Sequence, residues 1–201
     1  MTNGIIISAA VEGIVDEAVM RKLILHVGAT PGDVYGKQGK TYLRQKIAAY
    51  NNAARHAPWT VLVDLNGEAA CAPTLRQSWL AAPAPMLCFR IAVREVEAWL
   101  LSDAERLADF LGVARGRIPG NVEQLNDPKT AMVNLARNSR RRDIRTDMVP
   151  RPESGRSVGA AYSSRLIEFV SQHWRPDQAL MQADSLRRAI DCLRRLAALV
   201  G

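Results

Sequence analysis

Hydrophobic and polar positions along the chain fall into blocks that switch between strand-like runs and helical periodicity. Gly4-Ile5-Ile6-Ile7-Ser8-Ala9-Ala10-Val11 begins with β-branched residues suited to a central strand, and Glu12-Gly13 marks its exit. From Asp16, Val19, Leu23 and Val27 recur at helical spacing, with Met20 and Ile24 widening the stripe. Gly28, Gly32, Gly36 and Gly39, with Pro31 between the first two, break the pattern. That stretch, which carries Lys37 and Lys40, is expected to be an irregular connection. It lacks the glycine, lysine and hydroxyl spacing of a phosphate-cradling loop. Tyr42, Leu43, Ile47, Ala48 and Tyr50 predict a second amphipathic helix, and Trp59-Thr60-Val61-Leu62-Val63 a second core strand leaving through Asp64-Leu65-Asn66-Gly67. Leu75, Trp79 and Leu80 predict a third helix that Pro83 and Pro85 terminate. Met86 through Val93 reads as the next strand, and Arg94-Glu95-Val96-Glu97 as its junction with a further helix.

Beyond that point the pattern is helical. Asp103 through Leu111 predicts a short helix, followed by a break at Gly112, Gly116, Pro119 and Gly120. Asp127 is placed to cap a helix that Pro128 opens and that carries Met132, Val133 and Leu135. Tyr162, Leu166, Ile167, Phe169 and Val170 predict another, with His173 a packing or terminal residue. Leu180 begins a short helix, and Ser185 is expected to cap the last one, whose stripe is Leu186, Ile190, Leu193, Leu196, Ala197 and Val200. Strands alternating with helices define the α/β class with a mostly parallel central sheet. The expected organisation is an α/β core over residues 1–111 and a basic, mainly helical extension over 112–201, packed together as one compact unit.

Composition narrows the function. A hydrophobic fraction of 48% with 23% charged residues fits a globular chain and excludes global disorder. Lys and Arg total 27 against 20 Asp and Glu, a formal charge of +7, which favours an anionic partner. The most basic stretch holds Arg137, Arg140, Arg141, Arg142, Arg145, Arg151 and Arg156, suited to DNA or RNA phosphates and equally to an exposed basic surface or a protein-docking loop. Cys71, Cys88 and Cys192 are widely separated and odd in number, which argues for reduced, mostly packed thiols. The opening residues lack the pattern of a signal peptide, and no apolar stretch has the length of a membrane span, so a cytoplasmic protein without membrane contact is expected.

Against this basic background three acidic stations stand out: Glu12 with Asp16 and Glu17, Asp64, and Glu95 with Glu97. Each follows a predicted strand, and carboxylates at the carboxyl ends of neighbouring strands converge on the crevice where ligands bind in open α/β sheets. Hard oxygen ligands there suit Mg²⁺ or Mn²⁺ held against a phosphate. Glu12, Asp64 and Glu97 are the catalytic candidates, and Glu12, Asp16, Asp64, Asn66 and Glu97 the metal-ligand candidates. Arg90, Arg94, Lys129, Arg140, Arg141, Arg142, Arg145, Arg151 and Arg156 are the substrate-binding candidates. Competing structural roles are a first-turn capping carboxylate for Asp16, an Asx turn for Asp64 and Asn66, and a salt-bridged helix start for Glu97.

With Val11-Glu12-Gly13 and Asp16 after the first strand, Val63-Asp64-Leu65-Asn66 after a later one, and Arg94-Glu95-Val96-Glu97-Ala98-Trp99-Leu100, the chain resembles an uncharacterised bacterial family of Toprim-like proteins. The likeness continues through Asp127-Pro128-Lys129, Pro150, the Gly155-to-Tyr162 segment and Ser185-Leu186-Arg187-Arg188-Ala189. That family is related to the Toprim domains of topoisomerases, primases and overcoming-lysogenization-defect nucleases. The resemblance implies a Toprim-like fold, acid-base or metal-binding chemistry for Glu12, and Mg²⁺ binding for Asp64, with Asp16 matching the second acidic position of the nuclease-like pattern. Asn66 stands where the second aspartate of the Asp-x-Asp pair belongs, a departure that weakens a two-metal arrangement, while Glu97 belongs to the smaller family's own motif. The implied activity is metal-dependent nucleic-acid phosphodiester hydrolysis, as a nuclease-like component of a defence system with a companion ATPase. The alternatives are a noncatalytic Toprim-like regulatory or interaction protein and a small-molecule phosphatase.

Overall fold

The computed structural model describes residues 4–199. Strand and helix alternate through β1 (Ile6–Val11), α1 (Ile14–His26), β2 (Thr30–Gly36), α2 (Lys40–Ala53), β3 (Trp59–Asp64), α3 (Ala72–Trp79) and β4 (Leu87–Ala92). All four strands are parallel, in the order β2-β1-β3-β4, so the protein is α/β with a parallel sheet flanked by helices. A sheet covered on both faces explains why its strands read as uninterrupted apolar runs. On one face Ala10, Val61, Val63, Phe89 and Ile91 pack with Leu43 and Ile47 of α2 and Leu75 and Trp79 of α3. The other face is covered by α1 and by the last helix, α10 (Asp184–Ala198), which lies along β4.

The stretch expected to be irregular is the strand β2. It pairs only with β1, and an edge strand needs ladder bonds on one side, so Pro31 and the two glycines Gly32 and Gly36 are tolerated, with a register shift between Ile7 and Ala9. Its side chains alternate between exposed and half-buried, which left no apolar signature to read. Gly36 closes it with φ +87°, and a Cβ there would lie 2.3 Å from the Val11 carbonyl oxygen, so only glycine brings β2 this close to the end of β1.

The chain divides into two compact units, residues 1–93 with 184–201 and residues 94–183. The boundary expected from the sequence lies elsewhere, at 111/112. The reason lies in α10: Leu186, Ala189, Ile190 and Leu193 are fully buried, and packing along β4 returns the terminal helix to the sheet. Ser185 does not cap that helix, which already starts at Asp184; its hydroxyl accepts the Val93 N–H at 3.2 Å. Val200 lies outside the described residues.

The second unit contains α4 (Val96–Leu101), α5 (Ala104–Leu111), α6 (Pro128–Arg137), α7 (Arg142–Met148), α8 (Tyr162–Gln172) and α9 (Pro176–Ala179). Asp127 caps α6, accepting the Thr130 N–H at 2.7 Å, and Pro128 occupies its first turn. Leu180 ends α9 instead of beginning a helix, because Pro176 already supplies the start. Phe110 and Phe169 rings pack 5.3 Å apart with His173 against both, so His173 is a packing residue. No helix among the described residues is long and apolar enough to cross a membrane.

Candidate functional site

The order β2-β1-β3-β4 places the topological switch point between β1 and β3, where successive connections leave in opposite directions. The ladder between these strands runs only from Ser8↔Trp59 to Ala10↔Val61, whereas β3 stays paired with β4 up to Asp64↔Ala92. Beyond Ala10 and Val61 the carboxyl-terminal ends of β1 and β3 are therefore unpaired with each other, which leaves a gap in the ladder. Glu12, the first residue after β1, spans it: Glu12 Oε1 accepts the Asp64 N–H at 2.8 Å. Two of the predicted residues, far apart in sequence, are thus joined at the position where open α/β sheets bind ligands.

Asp16 belongs to the same unit. It sits in the first turn of α1, only 7% exposed, where the positive end of the helix favours a carboxylate. Its Oδ2 lies 3.0 Å from where a Cβ on Gly13 would be, so a glycine after Glu12 lets this carboxylate fold back beside the strand exit. Asp64 is equally buried, at 7%. Asn66 is exposed, with φ +41°, followed by Gly67 at +69°, and the Glu68 N–H returns to the Leu65 carbonyl at 3.1 Å. Two consecutive left-handed residues make a tight turn that Asn and Gly tolerate best, which accounts for both identities.

Residues absent from the predicted site frame this edge of the sheet. Lys37 Nζ pairs with Glu17 at 3.0 Å, and Lys40 Nζ pairs with Glu68 at 3.0 Å while reaching the Leu65 carbonyl at 3.4 Å. Burial pushes the Glu68 carboxyl up, but hydrogen bonds from Trp79 and Lys40 outweigh it and hold the group below its ordinary range. Lys37 and Lys40 were legible as basic residues; their arrival beside the strand ends depends on β2 being a strand.

Glu97 lies in the second unit, on α4, with neighbours of its own. It is 3% exposed, accepts the Tyr162 hydroxyl at 3.3 Å, and has Lys129 Nζ 3.8 Å away. Lys129 also donates its backbone N–H and its ammonium to Glu95, at 3.1 and 3.4 Å. Burial raises the Glu97 carboxyl above its ordinary 4.5; Lys129 opposes this and Glu95 reinforces it. Burial likewise keeps the Tyr162 phenol protonated and donating. A carboxyl whose folded value is raised binds its proton more tightly in the folded state, so its stabilising contribution is complete below 4.5 and is lost as pH rises through the folded value. Glu97→Gln keeps an acceptor for Tyr162 and removes that loss. Thermal melts between about pH 4 and about pH 8 are expected to show the variant gaining on the wild type as pH rises; a difference that is flat or opposite in slope contradicts the assignment.

The substrate-binding candidates are dispersed. Arg90 pairs with Leu62 midway along β4, and it lines a pocket with Arg187, Arg188, Asp191 and Arg195 of α10 instead of standing at the strand's carboxyl end. Arg94 is half-buried at the start of the second unit. Arg141 and Arg145 serve the fold: Arg141 binds Asp143 at 2.7 Å and the Phe110 carbonyl at 3.0 Å, and Arg145 binds the Ser139 carbonyl. Arg140, Arg142, Arg151 and Arg156 are exposed, and the last two line a pocket of about 550 Å³ with Asp147 and Ser154.

Among the described residues no group of three or more His, Cys, Asp or Glu side chains is gathered to hold a metal ion. Glu12, Asp16 and Asp64 are therefore not gathered as a three-carboxylate set. Their oxygen donors fit Mg²⁺ or Mn²⁺ in the mode that takes one or two carboxylates and completes its shell with water and substrate phosphate; they do not fit an all-protein Ca²⁺-type site. The chain matches no protein-family model, and no curated protein or solved structure matches it.

Proposed function

We propose that the first unit hydrolyses phosphodiester bonds of a nucleic acid with the help of a divalent cation. The observation that carries the reading is the Glu12–Asp64 link across the gap at the switch point, at 2.8 Å. Asp64, aided by Asp16, would hold Mg²⁺ or Mn²⁺, which supplies neutralisation of phosphate charge and acidification of water. Glu12, oriented by the Asp64 amide, takes the proton of the attacking water as the phosphorus–oxygen bond to the leaving group breaks. Lys37 and Lys40 can exchange their carboxylate partners for phosphate oxygens at the same edge. The charge of +7 and the exposed arginines of the second unit favour a polyanion over a small phosphomonoester.

A noncatalytic binding role is the second reading, and the observation favouring it is Asn66, an uncharged turn residue beside Asp64. Incubating the protein with DNA and RNA oligonucleotides, nucleotides and phosphomonoesters, with and without Mn²⁺, separates the classes. Cation-dependent cleavage of an oligonucleotide is expected. Oligonucleotide binding without turnover under any cation gives the second reading the field, and turnover confined to phosphomonoesters replaces the proposed substrate.

A further inference from the structure

Two of the three cysteines meet inside the first unit, where the sequence suggested only separate packed thiols. Cys88 lies on β4, 1% exposed, and Cys192 is half-buried on α10, which packs along that strand. Arg90 is two residues beyond Cys88 and therefore shares its face of the sheet. Arg188 and Arg195, four residues before and three after Cys192, share its face of the helix. Both elements thus bring arginines to the pocket of about 400 Å³ lined by Arg90, Arg187, Arg188, Asp191 and Arg195.

We propose that Cys192 and Cys88 form a peroxide-reactive dithiol site, with Cys192 the attacking thiol, on the helix face that sends Arg188 and Arg195 to the pocket, and Cys88 the buried resolving thiol. The division of roles follows from position, since of the two only Cys192 has solvent exposure beyond a trace. Protonation supports it. The hydrogen bond from Cys88 draws the Cys192 thiol down to about 6 against its burial, with Arg90 and Arg195 adding to the effect. Burial pushes Cys88 up, so the shared proton stays on Cys88. The Cys192 thiolate attacks one peroxide oxygen; the oxygen–oxygen bond breaks and the departing hydroxide takes a proton, leaving a sulfenic acid and one water. Cys88 sulfur then displaces the hydroxyl, forming the disulfide, and its proton leaves with that hydroxyl as the second water. Two thiols are oxidised and one peroxide is reduced to two waters.

Cys71 is the internal comparison: it is exposed on the same chain, hydrogen-bonded to Thr74, and far more open to reagent. A lower thiol pKa raises the thiolate fraction but lowers its nucleophilicity, so a rate advantage of only about twofold to threefold is expected for Cys192. Connectivity is therefore the better readout. Treating the full chain with about one equivalent of hydrogen peroxide, then alkylating and mapping peptides without reduction, is expected to take the three alkylatable thiols to one, Cys71, with Cys88 joined to Cys192. In Cys88→Ala, shown to be folded by its melting curve, a dione trap should find sulfenic acid at Cys192. Oxidation of Cys71 with Cys192 intact overturns the proposal, as does overoxidised Cys192 beside a free Cys88. Should Cys88→Ala not fold, the wild-type map alone decides.

Discussion

Glu12→Gln is expected to lower cation-dependent oligonucleotide cleavage by roughly 10²- to 10⁴-fold, the range for removing a general base. That corresponds to about 3–5 kcal/mol of transition-state stabilisation. The substitution suits the geometry because a glutamine Oε1 can still accept the Asp64 N–H, so the link between the ends of β1 and β3 survives while the charge and the proton acceptor are lost. Asp64→Asn should reduce turnover comparably through a different step: Mn²⁺ binding, followed by calorimetry or paramagnetic resonance, should weaken in Asp64→Asn more than in Glu12→Gln. Asp16→Asn, in the first turn of α1, should affect cation binding less than Asp64→Asn. Unimpaired turnover in both Glu12→Gln and Asp64→Asn, with melting curves unchanged, would remove these strand ends from consideration as the active site.

How much of this was legible in the chain depended on whether a segment's own side chains carried the information. β1, β3 and β4 are buried on both faces, so their apolar runs announced them, and the carboxylates at their ends could be picked out as strand-exit residues. β2 sits at the sheet edge with glycines, a proline and half-exposed side chains; what makes it a strand is the backbone of β1, which no local pattern encodes. The same holds for α10. Its stripe predicted a packed helix correctly, yet nothing in the stripe says which surface receives it, and only the fold shows that it lies along β4 and brings Cys192 to Cys88. In sequence Asn66 suits either a metal ligand or a turn, and its left-handed backbone explains the residue without a ligand. Glu97 stood out by its motif, whereas its partner Tyr162 lies 65 residues away and looked like an ordinary member of an apolar helical stripe. The basic stretch misled in part: counting arginines could not separate Arg141 and Arg145, which bind backbone carbonyls, from Arg140 and Arg142, which face solvent.

Within the second unit the helix bearing Glu97 is held at its far end by a clamp whose removal should have the largest effect on stability. Trp174, 2% exposed, donates its indole N–H to the Trp99 carbonyl at 3.2 Å, and the next residue, Arg175, grips Asp103. The Asp103 carboxylate, 1% exposed, accepts the Arg175 backbone N–H at 2.9 Å and guanidinium bonds at 3.1 and 2.7 Å, while the same guanidinium reaches Glu105 at 2.7 Å. Such a pair adds little net stability compared with an apolar replacement, but deleting one partner strands the other charge away from water. Arg175→Ala is therefore expected to cost about 3 kcal/mol, the low end for breaking a buried pair, because the guanidinium itself is about a third exposed. Lysine should not restore it, since a single ammonium cannot reproduce the fork that engages both Asp103 oxygens. Arg175→Ala combined with Asp103→Asn should recover part of the loss, because no unpaired charge then remains. Chemical denaturation with hydrogen exchange at the α4 and α5 amides reads the outcome. A loss below about 0.5 kcal/mol, or a double variant no better than the single, would show that Asp103 finds compensation elsewhere and that the clamp is not what holds α4.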